Sequence, residues 1–580
     1  MRPTLHAKYR APLILSLVLG CASCSGEGPE SEHVGDRDEA GAIEIAAPDN
    51  PITQLEAVED ATEEVADRLL SFSDKVRRRD WEAAADWFSE DFRGEGLAGL
   101  EVTDTVSEHM GVEISNHDAE ASPGLGKARF LENLAELLSD WTRVESAIWK
   151  VKAAEFQSGR GQRWGRIKLY IHVTGVQTNG GGIGIAAWCY AKVVQEGGEW
   201  KLSALDLDSL TVTKRDSAIF TPVAAAAGVA HTAPRFGSKD NNSFAFNGAA
   251  CGDVNGDGRW DLFLPSDGQN FLYLAQADGS FVETAEQAGL AAPGGGTGAV
   301  FFDYDNDGDQ DLAVGHVDDD VGGTRLCLYT GDGKGHFKRE ELGLGIGTLS
   351  LATYSLTVLD YDGDGWLDLY ACGYGVLAKE HNNSWIEATN GSPNALFRNV
   401  GGKAFVDVAA EVGVQGNSWS YASAAIDIDD DGDQDLYVAN DYGTNRLYVN
   451  QYPDGFVDRA AQYGITDQGN GMGASFGDFT GNGKLDLYVS NMSSTAGNRI
   501  LDRYEGDVPE EIYASLKKAA AGNTIFTRTA KGTFEKVPKS AGGVGANWAW
   551  SPALADFDLD GRLDVFCTNG FVTGELPFDT

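Results

Sequence analysis

The 580-residue chain carries 45 Lys and Arg against 88 Asp and Glu, a formal net charge of −43. That balance excludes a nucleic-acid binder, which needs clustered Lys and Arg, and favours cations, basic partners and solubility. A hydrophobic share of 42% is ample for a core, the length suggests several domains or one repeat array, and 73 glycines without a collagen period imply many tight turns between short strands.

Residues 1–20 read as a signal peptide. Arg2, Lys8 and Arg10 form a positive start, and APLILSLVLG, residues 11–20, is an apolar core too short to span a bilayer. VLGC then resembles a bacterial lipobox, which implies cleavage before Cys21 and its lipidation. Cys24 is a second candidate, and an ordinary secretory signal is the alternative. The expectation is an exported lipoprotein held to a membrane by its acyl chains, at the outer membrane or cell surface of a bacterium. Ala22, where inner-membrane retention uses Asp, points the same way. Residues 21–51 are acidic and rich in Gly, Pro and Ser, the composition of a disordered tether.

Residues 52–214 form an α+β region. Leu55, Val58, Val65, Leu69 and Phe72 recur at helical spacing. A second helix is expected at DWEAAADWFSEDF from Asp80, with Trp81, Ala84, Trp87 and Phe88 inward, and a third at FLENLAELLSDW from Phe130. From Val144 the period becomes two, and four strands follow, with Ile167, Leu169, Ile171 and Val173 on one face. The element order and the RRRDWEAAADWFSEDF stretch resemble the NTF2-like (SnoaL-like) cone fold, which hosts enzymes and plain binding modules alike, so fold assigns no activity. His172 falls opposite Ile171 and Val173; it reads as a pocket base or as a satisfied or exposed histidine.

From residue 215 to 580 the chain repeats itself. DVNGDGRWDL starts at Asp253, DYDNDGDQDL at Asp303, DYDGDGWLDL at Asp360, DIDDDGDQDL at Asp427, DFTGNGKLDL at Asp478 and DFDLDGRLDV at Asp556. The fourth copy packs six aspartates into nine residues. Two carboxylates about 5 Å apart repel by roughly 3 kcal/mol at an effective dielectric of about 20. A cation turns that repulsion into attraction. Oxygen-bearing side chains at positions 1, 3, 5 and 9, with the position-7 carbonyl, suit Ca²⁺, and Gly at position 6 permits the turn. Mg²⁺ keeps more waters and suits dense loops less.

The ligand set is therefore Asp253, Asn255, Asp257, Arg259 and Asp261; Asp303, Asp305, Asp307, Asp309 and Asp311; Asp360, Asp362, Asp364, Trp366 and Asp368. It continues with Asp427, Asp429, Asp431, Asp433 and Asp435; Asp478, Thr480, Asn482, Lys484 and Asp486; Asp556, Asp558, Asp560, Arg562 and Asp564. The fifth loop, with Thr480 and Asn482, carries less charge and is expected to bind more weakly.

A strand, Gly turn, strand and "aGv" return follow most loops, as in NALFRNVGGKAFVDVAAEVGV, so each unit supplies about four strands. IFTPVAAAAGV from Ile219 is an orphan copy that would complete the last unit. The long stretch after Asp478 leaves room for a seventh.

The loop grammar resembles the FG-GAP (VCBS-type) repeats of integrin-α-like β-propellers, and GMGASFGDFTGNG and ANDYGTNRLYVN resemble the bacterial ASPIC-type, cartilage-acidic-protein-like group. The resemblance implies a mainly β chain: a six- or seven-bladed Ca²⁺-binding β-propeller with about six structural ions, after a small α+β NTF2-like domain. It implies adhesion or scaffolding at the cell envelope through an unknown protein or glycan ligand. The alternative is an envelope enzyme: a lyase- or hydrolase-like site on the propeller face, or an isomerase or binding pocket in the cone. No GxSxG, HExxH or CxxC constellation supports a catalytic residue. Cys189, Cys251, Cys327, Cys372 and Cys567 are expected as buried free thiols.

Overall fold

The computed structural model describes residues 43, 45–109, 111–119, 124–157, 163–217, 220–230, 248–266, 268–294, 296–318, 323–340, 345–346, 350–351, 353–375, 381–493, 501, 506, 508–539 and 548–569. The signal segment, Cys21, Cys24 and most of the tether lie outside them. Between Pro222 and Val223 the chain divides into two compact units, and it is mainly β. Among the described residues no helix is long and apolar enough to cross a membrane.

The N-terminal unit opens with α1 (Leu55–Arg78). Its apolar stripe of Val58, Val65, Leu69, Phe72 and Val76 is buried. Arg79, left-handed at φ 58°, ends it, with Lys75, Arg77 and Arg78 in the last turn where the helix dipole favours cations. The expected second helix is much shorter: α2 (Trp81–Ala84), capped by the Asp80 carboxylate accepting from the Ala83 N–H at 3.1 Å. A 3₁₀ turn follows, and from Phe88 the chain is strand β1 (Phe88–Glu95). Phe88 and Phe92 share a face in a helix and in a strand, so spacing could not separate the two. Parallel pairing with the last strand of the sheet decides it.

Next come β2 (Val102–His109), β3 (Val112–His117), β4 (Gly124–Gly126), α3 (Lys127–Leu137), β5 (Trp141–Phe156), β6 (Trp164–Gln177), β7 (Gly182–Glu196) and β8 (Glu199–Arg215). The order is β2-β3-β8-β7-β6-β5, with β1 on β8 and β4 on β1. Ile167, Leu169, Ile171 and Val173 are buried in the core formed with α1, as their alternation predicts. This unit begins before residue 52: Ile45 is buried, and Pro51 bridges to Gln157. An apolar side chain with a core to enter removes that end of the tether from solvent.

The C-terminal unit contains successive antiparallel sheets. The first holds Ala250–Gly252, Asp261–Leu264, Phe271–Ala275 and Phe281–Glu283. The second holds Gly296–Phe302, Asp311–Asp318, Gly323–Gly331 and Phe337–Arg339, with Ser350–Leu351 added. The third holds Leu356–Leu359, Asp368–Ala371, Ala395–Asn399 and Phe405–Asp407; the fourth Ser420–Ile426, Asp435–Asn440, Arg446–Asn450 and Phe456–Asp458. The fifth holds Gly471–Gly477, Asp486–Asn491, Thr524–Arg528 and Phe534–Lys536, and the sixth Ala549–Ala555 and Asp564–Asn569. Neighbouring sheets bury apolar side chains against each other: Leu359 and Tyr370 of the third share a cluster with Leu436 and Val438 of the fourth.

Three expectations change. The "aGv" return is one helical turn, as at Ala285–Ala288, Ala409–Val412 and Ala460–Tyr463, closed by a left-handed glycine. At Gly464 (φ 78°) an added Cβ would stand 2.8 Å from the Phe534 carbonyl oxygen, so the next sheet requires glycine there. The described part of the extra sequence after Asp478 includes the helix Glu510–Ala519 within the fifth sheet's connection, and the following strands complete that sheet; no seventh sheet is present among the described residues. The orphan copy supplies the turn Ala224–Ala227, but Phe220–Val223 form no strand, and none of the sheets closes among the described residues.

Candidate metal centres

Every aspartate-rich loop joins the first strand of a sheet to the second. Position 9 opens the second strand and pairs with the last residue of the first, as in Asp311↔Phe302 and Asp435↔Ile426. The loop is folded by its own side chains. In the fourth, the Asp427 carboxylate accepts from the Asp431 and Gly432 N–H groups at 3.1 and 3.0 Å, and Asp431 accepts from the Asp433 N–H at 3.1 Å. The same bonds run from Asp253, Asp303, Asp360, Asp478 and Asp556 to the residues four and five places on. These are Asx-type turns that gather positions 1, 3 and 5 around one point.

The turn needs two left-handed residues. Position 6 is glycine throughout, for example Gly432 at φ 97°. Position 4 is left-handed as well: Gly256, Asn306, Gly363, Asp430, Gly481 and Leu559. The sequence carried this signal, since five of those six are Gly, Asn or Asp, the residues that tolerate the conformation.

Position 9 does more than the ligand role expected of it. Asp261, Asp311, Asp368, Asp435 and Asp486 are each fully buried. One oxygen accepts the position-2 N–H at 2.8 to 3.0 Å. The other accepts a third-strand N–H, from Ala275, Gly331, Asn399, Asn450 or Arg528, at 2.7 to 2.8 Å. Each oxygen retains a lone pair for an ion except Asp486 Oδ2, which also accepts the Thr480 N–H at 3.2 Å. Burial pushes Asp311, Asp368 and Asp435 up to about 7 and raises Asp261. Burial also raises Asp305, Asp362 and Asp429, with the neighbouring aspartates adding to it.

The residues present fit a divalent cation unequally. Asp303, Asp305 and Asp311 place one oxygen each within 4.8 Å of one another; so do Asp360, Asp362 and Asp368, the trio Asp427, Asp429 and Asp435, and the trio Asp556, Asp558 and Asp560. Asn255, and Thr480 with Asn482, leave the first and fifth loops without such a carboxylate trio. In three loops a guanidinium reaches a predicted ligand, and in the fourth Arg528 pairs with Asp430, which is not one, at 3.4 Å. Arg259 pairs with Asp257, Arg398 reaches Asp362 at 2.8 Å, and Arg562 reaches Asp560 at 2.6 Å. Arg398 comes from another strand, which no loop pattern reveals. In the fourth loop, Asp429 Oδ1 and Asp433 Oδ1 are buried without a hydrogen-bond partner. Asp433 is pushed up to about 6 by burial and by Asp431. Buried carboxylate oxygens without a donor are an electrostatic demand that a bound cation satisfies.

The loops also fasten the sheets together. The position-2 carbonyl accepts from the next sheet in four places: Val254 from the Gly335 N–H (3.0 Å), Tyr304 from Asn399 Nδ2 (2.7 Å), Tyr361 from Asn450 Nδ2 (2.7 Å) and Ile428 from Arg528 Nη2 (2.5 Å).

In the N-terminal unit His172 lies half-buried on the outer sheet face, its ring stacked on Tyr170 at 6.0 Å and 10°. Burial holds its pKa down, which favours the neutral ring. Glu95, unremarked in the sequence, is buried. Its Oε2 accepts the Leu207 N–H at 2.6 Å, and burial lifts it to about 7. Of the cysteines, Cys189, Cys327 and Cys372 are buried thiols outside any disulfide, as expected. Cys251 is exposed and Cys567 is half-buried.

The FG-GAP-like repeat family matches residues 253–314, 310–371, 427–489 and 509–567, which together include all six loops. Mouse cartilage acidic protein 1 is 26% identical over 348 residues, 57% of this chain and 49% of that protein. The human protein is 25% identical over 57% of this chain and 48% of its own length. The chain thus spans about half the length of the curated relatives it matches. Among solved structures, a putative aromatic ring hydroxylase from Novosphingobium aromaticivorans covers 26% of this chain and 89% of its own, at 14% identity and a TM-score of 0.19, a likeness that decides nothing about activity.

Proposed function

We propose, for a chain that carries FG-GAP-like repeats and is homologous to cartilage acidic protein 1, that the C-terminal unit is a calcium-stabilised propeller serving as an adhesion or scaffold module. The sheets are its blades. About six Ca²⁺ ions sit in the loops, held by positions 1, 3, 5 and 9 and the position-7 carbonyl. Bound Ca²⁺ supplies charge neutralisation and cross-linking; the protein's own hydrogen bonds pre-fold each loop and tie it to the next sheet. The protein is exported and lipid-anchored at Cys21, and the propeller surface meets a protein or glycan ligand.

The observation that carries this reading is the fourth loop, where Asp427, Asp429 and Asp435 bring one oxygen each within 4.8 Å of one another and Asp429 Oδ1 is buried without a hydrogen-bond partner. The second and fourth loops should bind most tightly, since each has a carboxylate trio and no guanidinium reaching one of its predicted ligands. The test is thermal unfolding of the full chain after chelation, with CaCl₂ added back stepwise. Each site filled to about 100 times its Kd adds about 2.7 kcal/mol. A saturable rise in Tm is expected, and a melt indifferent to calcium would sink the reading.

A further inference from the structure

The outer face of the N-terminal sheet runs against the charge of the chain. On β6, Arg166 and Lys168 alternate with the buried residues Ile167 and Leu169 and so point away from the core. On β7, Lys192 occupies the same outer face. Each cation lies over an aromatic ring: Arg166 over Tyr190 at 4.4 Å, Lys168 over Trp188 at 5.0 Å, Lys192 over Trp164 at 4.8 Å. On the neighbouring strand Lys152 lies over Tyr170 at 5.3 Å. The cations are thus held in fixed places, half-buried, on a chain of net charge −43.

Arg166 and Lys192 are direct register partners across β6 and β7. Like charges placed opposite each other in a sheet are destabilising. Among the described residues Arg166, Lys168 and Lys192 form no ion pair within 4 Å, although Glu155 is the register partner of Arg166 on its other side and Asp206 that of Tyr190. Arg166 Nε is buried with no hydrogen-bond partner. Stability alone would place an acid at one of these positions, as the chain does freely elsewhere.

We propose that this face binds an anionic polysaccharide, one bearing carboxylate or sulfate groups along its length. Alternate residues on a strand stand about 6.6 Å apart and adjacent strands about 4.8 Å apart, so the cations form a regular array suited to a polymer with periodic charge. A cation already lies over each ring and competes with base stacking there, which argues against a single-stranded nucleic acid. Repulsion from the acidic remainder is screened beyond about 8 Å at physiological ionic strength.

The test uses the full chain and polygalacturonate and chondroitin sulfate as probes, with neutral dextran, polyglutamate and oligo-dT for comparison, in chelator so that the calcium loops do not contribute. Binding to one of the two acidic polysaccharides is expected, weakened by salt. Lys168→Glu with Lys192→Glu should lower affinity about tenfold, since two favourable charge contacts are reversed. Lys192→Glu alone turns the like-charge pair with Arg166 into an opposite-charge pair, so its Tm should hold or rise while binding falls. That opposition separates a binding role from a structural one. Should the double variant fail to fold, K168Q with K192Q replaces it. Affinity within twofold of wild type in the variants, no binding to either acidic polysaccharide, or equal binding to dextran, polyglutamate or oligo-dT would each overturn the proposal.

Discussion

Asp435 and Asp433 sit two residues apart in the same loop, and removing them should have opposite consequences. Asp435 is fully buried and accepts the Ile428 and Asn450 N–H groups at 2.8 and 2.7 Å. Asp435→Ala leaves both donors buried and unmatched, at about 1–3 kcal/mol each. The sum is about 2–6 kcal/mol, or roughly 4–12 °C in Tm at about 2 °C per kcal/mol for a large unit. That loss should appear in chelator, because it belongs to hydrogen bonds and not to an ion. Asp433 Oδ1 has no such partner and sits against Asp431. Asp433→Ala should therefore cost nothing in chelator, or gain slightly, and should lose part of the calcium-induced rise. Scanning calorimetry of both variants with and without CaCl₂ reads all four values. Equal destabilisation by the two substitutions in chelator would refute the division between hinge and ligand.

Other outcomes follow from the same geometry. With no cation, Asp311, Asp368 and Asp435 have folded pKa values near 7, above the ordinary 3.9. Their contribution is present at acid pH and is lost as pH rises through 7, so chelated protein should lose stability there; Ca²⁺ competes with those protons, so its Tm increment should be larger at pH 8 than at pH 5.5. His316 has the opposite sign: burial, with Arg339 nearby, holds it down to about 4, so its stabilisation is complete above pH 6.5 and drains as pH falls towards 4. His316→Asn should flatten that part of the Tm profile. Leu559 is 87% exposed and left-handed, and Leu559→Asn should stabilise by about 1 kcal/mol in denaturant titration; a loss would show the strain is absent. Site-resolved thiol labelling of folded protein should modify Cys251 rapidly and leave Cys189, Cys327 and Cys372 untouched.

The loops were legible because each of their positions has a separate chemical demand, repeated in six copies. Position 9 was read only as a ligand because its second task, receiving a third-strand N–H, involves a residue 14 to 42 places away. The same distance hid Arg398, which stands 36 residues beyond Asp362 by number and enters the loop from the side. Strands β5 to β8 showed clean alternation and were read correctly. β2 and β3, VTDTVSEH and VEISNH, went unread because their apolar content is too low to set a period. The outer face of β6 was visible as W-x-R-x-K-x-Y-x-H, yet its meaning depended on which cations face one another across strands, and register is a property of the folded sheet.

The four bonds that the position-2 carbonyls accept all run one way. The receiving oxygen is always on the loop of the earlier sheet, and the donor always comes from the later one. The second, third and fourth repeats therefore each have a socket and a plug, like a railway coupling. A copy of the gene segment for one repeat would arrive with both halves and join on either side without new complementary mutations. The donor itself varies from a glycine amide to asparagine to arginine while the socket keeps its place. Growth by duplication is thus permitted by the joint, and drift in the plug is tolerated so long as one N–H still reaches.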